Sequence, residues 1–329
     1  MANTKIPPEL VDDQVIGRKN IIINGDMKVY QRAQSVTGFT AAYKYYTADR
    51  MRFSSSGGTV GTWNQEVQTD QNIGDYSNVN FLKTTLATAG EAGYHRGVNY
   101  RVEPTDIKNM VGKTCTLSFY AKADATTTQD RIIYAISSGS VASTIDLGNI
   151  TLTTSWTRYT ASFTMPNCTD YLDITLRVDG DIETSSYITL LQLELGSQAT
   201  PFEFKNYGEE LALCKRYYQQ YSGFHAMPMW TYGRNNGSMQ FVLEKEMRTQ
   251  PTSSYSGTLG SLQSDSHCGI YESDWVTISS LTFSSTAAAS NPKMMRFDSS
   301  HPSNAFASNN VAVGFYAGDD FYLIFDAEL

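Results

Sequence analysis

The chain has 329 residues and a formal net charge of −8, from 25 Lys and Arg against 33 Asp and Glu. It is 41% hydrophobic, 12% aromatic and only 18% charged, which excludes a disordered protein, since disorder needs high charge and few aromatics. The acidic balance also argues against a nucleic-acid partner, because binding a phosphate backbone takes concentrated Lys and Arg.

Residues 1–19 include "KIPPELVDDQVIGRK", with a proline pair and no repeating apolar face. A segment of this kind cannot form its own core and is ordered only when something holds it. It is expected to be an extended anchoring arm, offering Ile6, Pro7, Pro8, Leu10, Val11, Val15 and Ile16 to a partner chain or a neighbouring subunit. The opening "MANTKIPPEL" has no basic region followed by an apolar one, so it does not read as a secretory signal. No apolar run approaches the ~20 residues of a membrane span. The expectation is a soluble protein made in a cytoplasm, with no membrane insertion.

From Asn20 the texture changes. "NIIINGDMKVYQR" reads as an apolar run, an Asn-Gly turn and an alternating strand with Met27, Val29 and Gln31 on one side. Strand-like segments then follow at short intervals, among them "DRMRFSS", "VNFLKTTL", "KTCTLSFYAKA", "RIIYAISS" and "LDITLRVD". Gly, Asn, Asp and Ser clusters separate them, the pattern of a β-sandwich or barrel. "PTDIKNMVG" is the one helical turn, with Thr105 as N-cap and Gly112 as its stop. The last strand, "SYITLLQLEL", places Tyr187, Thr189, Leu191, Leu193 and Leu195 on a core face and Ile188, Leu190, Gln192 and Glu194 on a half-covered one. Gly196 ends it, so the first domain is expected over 20–206.

"YGEELALCKRYYQQY" begins a new element. Glu209 and Glu210 suit the N-terminus of a helix, where they should face water, and Lys215 and Arg216 its C-terminal half. Leu211, Cys214, Tyr217 or Tyr218, and Tyr221 form one stripe at helical spacing. A connecting helix is therefore expected over 207–222. A second β-domain follows over 223–329, ending in "NVAVGFYAGDDFYLIFDAEL", which reads as a hairpin around Ala-Gly-Asp-Asp. The fold class is mainly β: two β-sandwich, jelly-roll-like domains joined by one amphipathic helix and preceded by an extended arm.

Nothing in the chain reads as a catalytic constellation. There is no G-x-S-x-G, and His267 beside Cys268 would point to opposite faces of a strand. Asp173, Asp179, Asp181 and Glu183 around "VDGD" could be imagined as a carboxylate pair or as oxygen ligands for calcium, but a turn accounts for them better. The cysteines (Cys115, Cys168, Cys214 and Cys268) and the four histidines are scattered, without zinc spacing. No cofactor, no metal and no enzymatic activity are expected. Sugars stack on exposed aromatics flanked by hydrogen-bonding side chains. Two stretches carry that combination: Tyr43, Tyr45 and Tyr46 in "AAYKYYTADR", and Trp230, Tyr232, Arg234, Asn235 and Asn236 in "MPMWTYGRNNG". Core or subunit packing is the competing reading of both.

Four segments in order, "NIIINGDMKVYQ", "VGKTCTLSFYAKA", "TTSWTRYTASFTMP" and "YITLLQLELGSQATPF", resemble the jelly-roll carbohydrate-binding modules appended to glycoside hydrolases. In that family an acid after the Asn-Gly turn lies near a structural calcium; here Met27 and Lys28 stand at the corresponding positions, so that site is not carried over. The first motif, "YTADRMRF", "LQLELGSQATPFEFKNYGEELALCKRYYQQY" and the terminal "FDAEL" also resemble bacteriophage tail-fibre and related virion fibre proteins. That resemblance implies a structural virion protein, a homotrimer with tail, baseplate or capsid proteins as partners. It would be anchored by its arm and would contact host cell-surface polysaccharide through its β-domains. The alternatives are a secreted glycan-binding module of a polysaccharide-degrading enzyme and a capsid-attached decoration protein.

Overall fold

The computed structural model describes residues 19–328 except 41–42, 57–61, 89–94, 180–183, 224–226, 232–234, 260–266, 272–274, 277, 284–291 and 302–311. The arm residues Ile6 to Ile16, and Tyr232 and Arg234, lie outside the described residues. The chain is mainly β and divides into two compact units, Met1–Tyr207 and Gly208–Leu329.

In chain order the first unit holds β1 (Ser35–Phe39), β2 (Lys44–Tyr45), β3 (Arg52–Ser56), β4 (Thr62–Asp70), β5 (Val79–Thr88) and β6 (His95–Val102). A short helix α1 (Pro104–Ile107) precedes β7 (Thr114–Ala123), β8 (Thr127–Ser137), β9 (Ser140–Asp146) and β10 (Ile150–Leu152). β11 (Thr157–Thr164), β12 (Tyr171–Asp179) and β13 (Ser186–Leu195) complete it. One sheet has the order β1-β4-β5-β13-β7-β11; the other runs β10-β8-β12-β6-β3-β2, with β9 paired to β8. The two sheets pack face to face as a jelly-roll sandwich. Period-two alternation builds the core between them: Leu117, Phe119 and Ala121 of β7 meet Leu172, Ile174 and Leu176 of β12, all buried. In α1 the N-cap position belongs to Glu103 and Pro104 occupies the first turn, not Thr105 as cap. Proline's fixed φ and missing N–H suit that place.

Two further sequence expectations fail in this unit, for one reason each. Residues 21–30 form no strand; they fold as a turn laid along β13. Asn24 adopts φ 59°, and its side chain accepts from Val29 N and donates to Val29 O and Asp49 O at 2.7–2.9 Å. Gly25 is required there, because a Cβ would stand 2.1 Å from the Leu191 carbonyl oxygen. In β13 the register shifts between Thr189 and Gln192, with Leu190 at φ 53°. One extra residue flips the alternation. Ile188 therefore joins Leu191 and Leu193 in the main core, while Leu190 packs on the opposite face with Phe81. Gln192 and Glu194 are buried rather than half-covered, because residues 200–203 fold over them. Thr200 donates to both Glu194 carboxylate oxygens, and Glu203 N donates to Gln192 Oε1.

The helix α2 (Tyr207–Cys214), whose first residue is the last of the first unit, is eight residues long rather than a helix to 222. Tyr218–Tyr221 is instead a strand, β14, paired with β24 (Tyr322–Asp326). Tertiary pairing overrides the helical spacing of the tyrosines. Glu209 is exposed as expected, but Glu210 is buried, Cys214 is buried, and Leu211 is only half-buried. Between these strands lie β15 (Met227–Thr231), β16 (Asn236–Val242), β17 (Thr252–Ser256), β18 (Thr258–Leu259), β19 (His267–Tyr271), β20 (Trp275–Val276), β21 (Ser280–Phe283), β22 (Met294–Ser300) and β23 (Ala312–Ala317). A three-stranded sheet β14-β24-β17 accompanies a larger one, β18-β19-β23-β15-β16-β22-β21, with β20 on β19. The expected terminal hairpin does not form: β23 belongs to the large sheet and β24 to the small one. The Gly318–Asp320 turn carries the chain from one layer to the other, so Phe321, Leu323 and Phe325 face Phe241, Phe297 and Phe315 across the core.

Two tyrosines give the interior a titration signature. Burial, and a 2.6 Å bond donated to Asp124, push the Tyr187 hydroxyl up to about 12. Burial does the same for Tyr221, also to about 12. The folded state thus keeps protons that the unfolded chain releases near the ordinary tyrosine value of about 10, so stability should fall between about pH 10 and about pH 12. An ultraviolet difference titration should show these two ionising late, above the ordinary tyrosine range. The late component should shrink in Tyr187→Phe and Tyr221→Phe, and an unchanged profile in both variants would refute the assignment.

Candidate functional site

The outward face of the β3-β6-β12-β8 strands assembles a groove of about 280 Å³, lined by Tyr43, His95, Asn99, Tyr134, Asp173 and Arg177 among others. Cross-strand register explains the set. Arg52 stands opposite Asn99, Asn99 opposite Thr175, and Asp173 opposite both Arg101 and Tyr134. Every second residue of each strand faces outward, so five distant segments deliver polar side chains to one surface.

Its floor is a charge-assisted network. Asp173 is 7% exposed and Arg52 4% exposed. The Asp173 carboxylate accepts from Arg101 Nε at 3.0 Å and from Arg52 Nη2 at 3.4 Å. Asn99 accepts from Arg52 Nε at 3.0 Å and donates to Thr175 Oγ1 at 2.9 Å, tying three strands together. Burial pushes the Asp173 carboxyl up from its ordinary value, against the pull of Arg101 and Arg52. The Arg52 guanidinium is held below its usual value by burial and by Arg101 beside it. At one end Arg177 donates to Asp130 at 3.2 Å.

Aromatic rings border this floor. Tyr43, 52% exposed with φ 58°, has its ring 5.0 Å from the Arg52 guanidinium carbon. Arg101 lies 3.8 Å over the Tyr171 ring. Tyr134 and Ile136 from β8, with Val141 from β9, form the other border. The arrangement can stack apolar faces and hydrogen-bond hydroxyls with guanidinium, amide and carboxylate groups. Among the described residues no three His, Cys, Asp or Glu side chains gather as metal ligands.

Of the sequence-predicted tyrosines, only Tyr43 lines this groove. Tyr46 stacks on Phe39 at 3.9 Å and abuts Phe53 in a buried aromatic cluster. Tyr45 is half-buried beneath Arg32. Asp173, which the sequence reading placed with a turn, lies within β12; Asn99, Tyr134 and Arg177 had no functional signal in the sequence beyond being polar positions of alternating strands. In the second unit Trp230 and Asn236 share the outer face of the large sheet. Asn235 is exposed in the turn before β16, its carbonyl accepting from His301 N at 2.9 Å.

No family model matches the sequence, and no curated protein matches it. Among solved structures, a domain of bacteriophage CBA120 tailspike protein 4 aligns with 54% of this chain at 16% identity and a TM-score of 0.37; the alignment spans 22% of that chain. A CBM4 structure aligns with 53% at 16% identity and a TM-score of 0.32, covering 98% of itself. The xylan-binding CBM22-1 domain of Paenibacillus barcinonensis Xyn10C aligns with 50% at 15% identity and a TM-score of 0.31, covering 94% of itself.

Proposed function

We propose that this protein is a non-enzymatic glycan-binding protein whose first unit holds a sugar chain in the β3-β6-β12-β8 groove. The single observation that carries this reading is the combination in that groove of bordering tyrosines with a rigid, fully hydrogen-bonded polar floor. Pre-ordered polar groups cost little entropy on binding and fix the orientation of hydroxyls. Asp173 acts as a hydrogen-bond acceptor held by two guanidiniums, not as an acid poised across a cleft from a second carboxylate.

The sequence resemblance extends the proposal to a structural virion fibre or spike, made in the host cytoplasm. In this reading the chain is a homotrimer, residues 1–19 anchor it to the particle, and host cell-surface polysaccharide is its target. The test is native electrophoresis of the full chain through gels holding one soluble polysaccharide each: xylan, mixed-linkage β-glucan, galactomannan or polygalacturonate. Retention by at least one is expected, and Tyr43→Ala with Tyr134→Ala should weaken it about tenfold, or ~1.4 kcal/mol. Release of reducing ends from the retained polymer would show an enzyme instead. Light scattering should give three times the 36.5 kDa chain mass, and a monomer at micromolar concentration removes the fibre reading.

A further inference from the structure

We infer that the second unit carries its own glycan-binding surface, separate from the groove: an open tile on the outer face of β15, β16 and β22. The inference rests on the glycan-binding reading above and adds a second site to it. Trp230, Ser238 and Asp298 lie side by side across the three strands. Two residues along, Pro228, Gln240 and Arg296 occupy the same face, with Gln240 directly opposite Arg296. Neighbouring strands lie ~4.8 Å apart and same-face residues ~7 Å apart along a strand, so these six side chains form a shallow rectangle. A depression of about 560 Å³ lies over Pro228, Trp230, Ser238, Gln240 and Arg296.

The chemistry of the tile selects its occupant. Trp230 is 55% exposed, while its neighbour on the strand, Met229, is buried in the core. The indole is thus presented outward by a strand that cannot rotate without emptying the interior. Arg296 places both Nε and Nη2 on Asp298 Oδ1, at 3.1 and 3.0 Å, which sets the plane of the guanidinium two strands away from the indole. Gln240 is exposed between them. A broad apolar ring face beside fixed amide, guanidinium and carboxylate groups matches a pyranose, which has an apolar face and a rim of hydroxyls.

A second copy of the chain fits less well. Four of the six side chains are polar or charged, whereas the centre of a subunit contact is depleted of charge. One cation beside one acid gives no net field for an anionic surface or polymer, so the tile is assigned to a neutral glycan.

The experiment uses the full chain and the same four polysaccharide gels, starting from the groove variant Tyr43→Ala/Tyr134→Ala. Residual retention by xylan, β-glucan or galactomannan is expected. Adding Trp230→Ala should weaken it at least tenfold, and Trp230→Phe, which keeps a stacking ring, should restore most of it. Retention unaffected by Trp230→Ala in every gel overturns the second site and leaves the groove standing. A change of oligomeric state on Trp230→Ala, read by light scattering, overturns it in favour of a contact between copies. A wild-type chain retained by none of the four polymers overturns both sites together.

Discussion

Asn20→Ala should destabilise the first unit by about 3–5 kcal/mol, since each buried backbone group left unsatisfied costs roughly 1–3 kcal/mol. Asn20 is fully buried. Its Oδ1 accepts from Ile22 N at 3.0 Å and from Leu193 N at 3.1 Å, and its Nδ2 donates to Leu191 O at 3.1 Å. The two β13 groups lie on the edge that β5 leaves uncovered, since β5 pairs with β13 only through Ser186, Tyr187 and Ile188. One amide side chain thus replaces a missing strand. Glu203 closes the knot from outside, accepting from Asn20 N at 2.7 Å and Lys19 N at 3.3 Å. The residues that follow the arm and the segment that leads out of the unit are therefore tied together. Thermal unfolding followed by tryptophan fluorescence should show a midpoint lower by roughly 10 °C, at about 2–4 °C per kcal/mol for a unit of this size. A loss below about 1 kcal/mol would mean that water replaces the amide and that the knot is not structural.

Asp173→Ala should cost a similar amount, about 3–5 kcal/mol, the usual result of removing one partner from a buried ion pair. The loss comes from what is left behind. Arg52 and Arg101 would face each other in the groove floor without the carboxylate between them. The pair itself stabilises little, because desolvation opposes the Coulomb gain; the raised Asp173 and lowered Arg52 pKa values express that opposition. With the folded pKa of Asp173 above its unfolded one, the native state binds the proton more readily. The contribution of this carboxyl to stability therefore declines as pH rises from the unfolded carboxylate range through the folded value. Adding Arg52→Met to Asp173→Ala should recover more than half of the stability and none of the polysaccharide retention. If the double variant is less stable than Asp173→Ala alone, the stranded-charge account fails. Stability and binding then part company in one measurement, which separates a floor that only folds from one that also recognises.

The local content of the fold was legible in the sequence. Alternation in "KTCTLSFYAKA" and "LDITLRVD" marked strands that become β7 and β12, because a side-chain period of two survives whatever the strand pairs with. Gly196, at φ 113°, marked the end of the last sandwich strand, since a positive φ costs glycine nothing. Trp230 stood out because an indole beside a polar turn is chemically conspicuous.

What only the tertiary structure decided is everything that depends on which strands meet. The bulge in β13 reversed the faces assigned to Tyr187, Ile188 and Thr189, and a single inserted residue leaves no mark on composition or period. The terminal segment has the pattern of a hairpin, yet its two halves belong to different sheets, because a turn of three residues can as well cross between layers as reverse within one. The tyrosines at 217–221 keep helical spacing, but β24 offers Tyr218–Tyr221 a complete ladder, and eight residues of helix cannot outweigh it. The groove is the extreme case. Asn99, Tyr134 and Asp173 are separated by dozens of residues, and each by itself is an ordinary polar residue on the outer face of a strand. Antiparallel register alone puts them side by side. A binding surface made of sheet neighbours is encoded in pairing, and pairing is a property of the folded chain rather than of any stretch of its sequence.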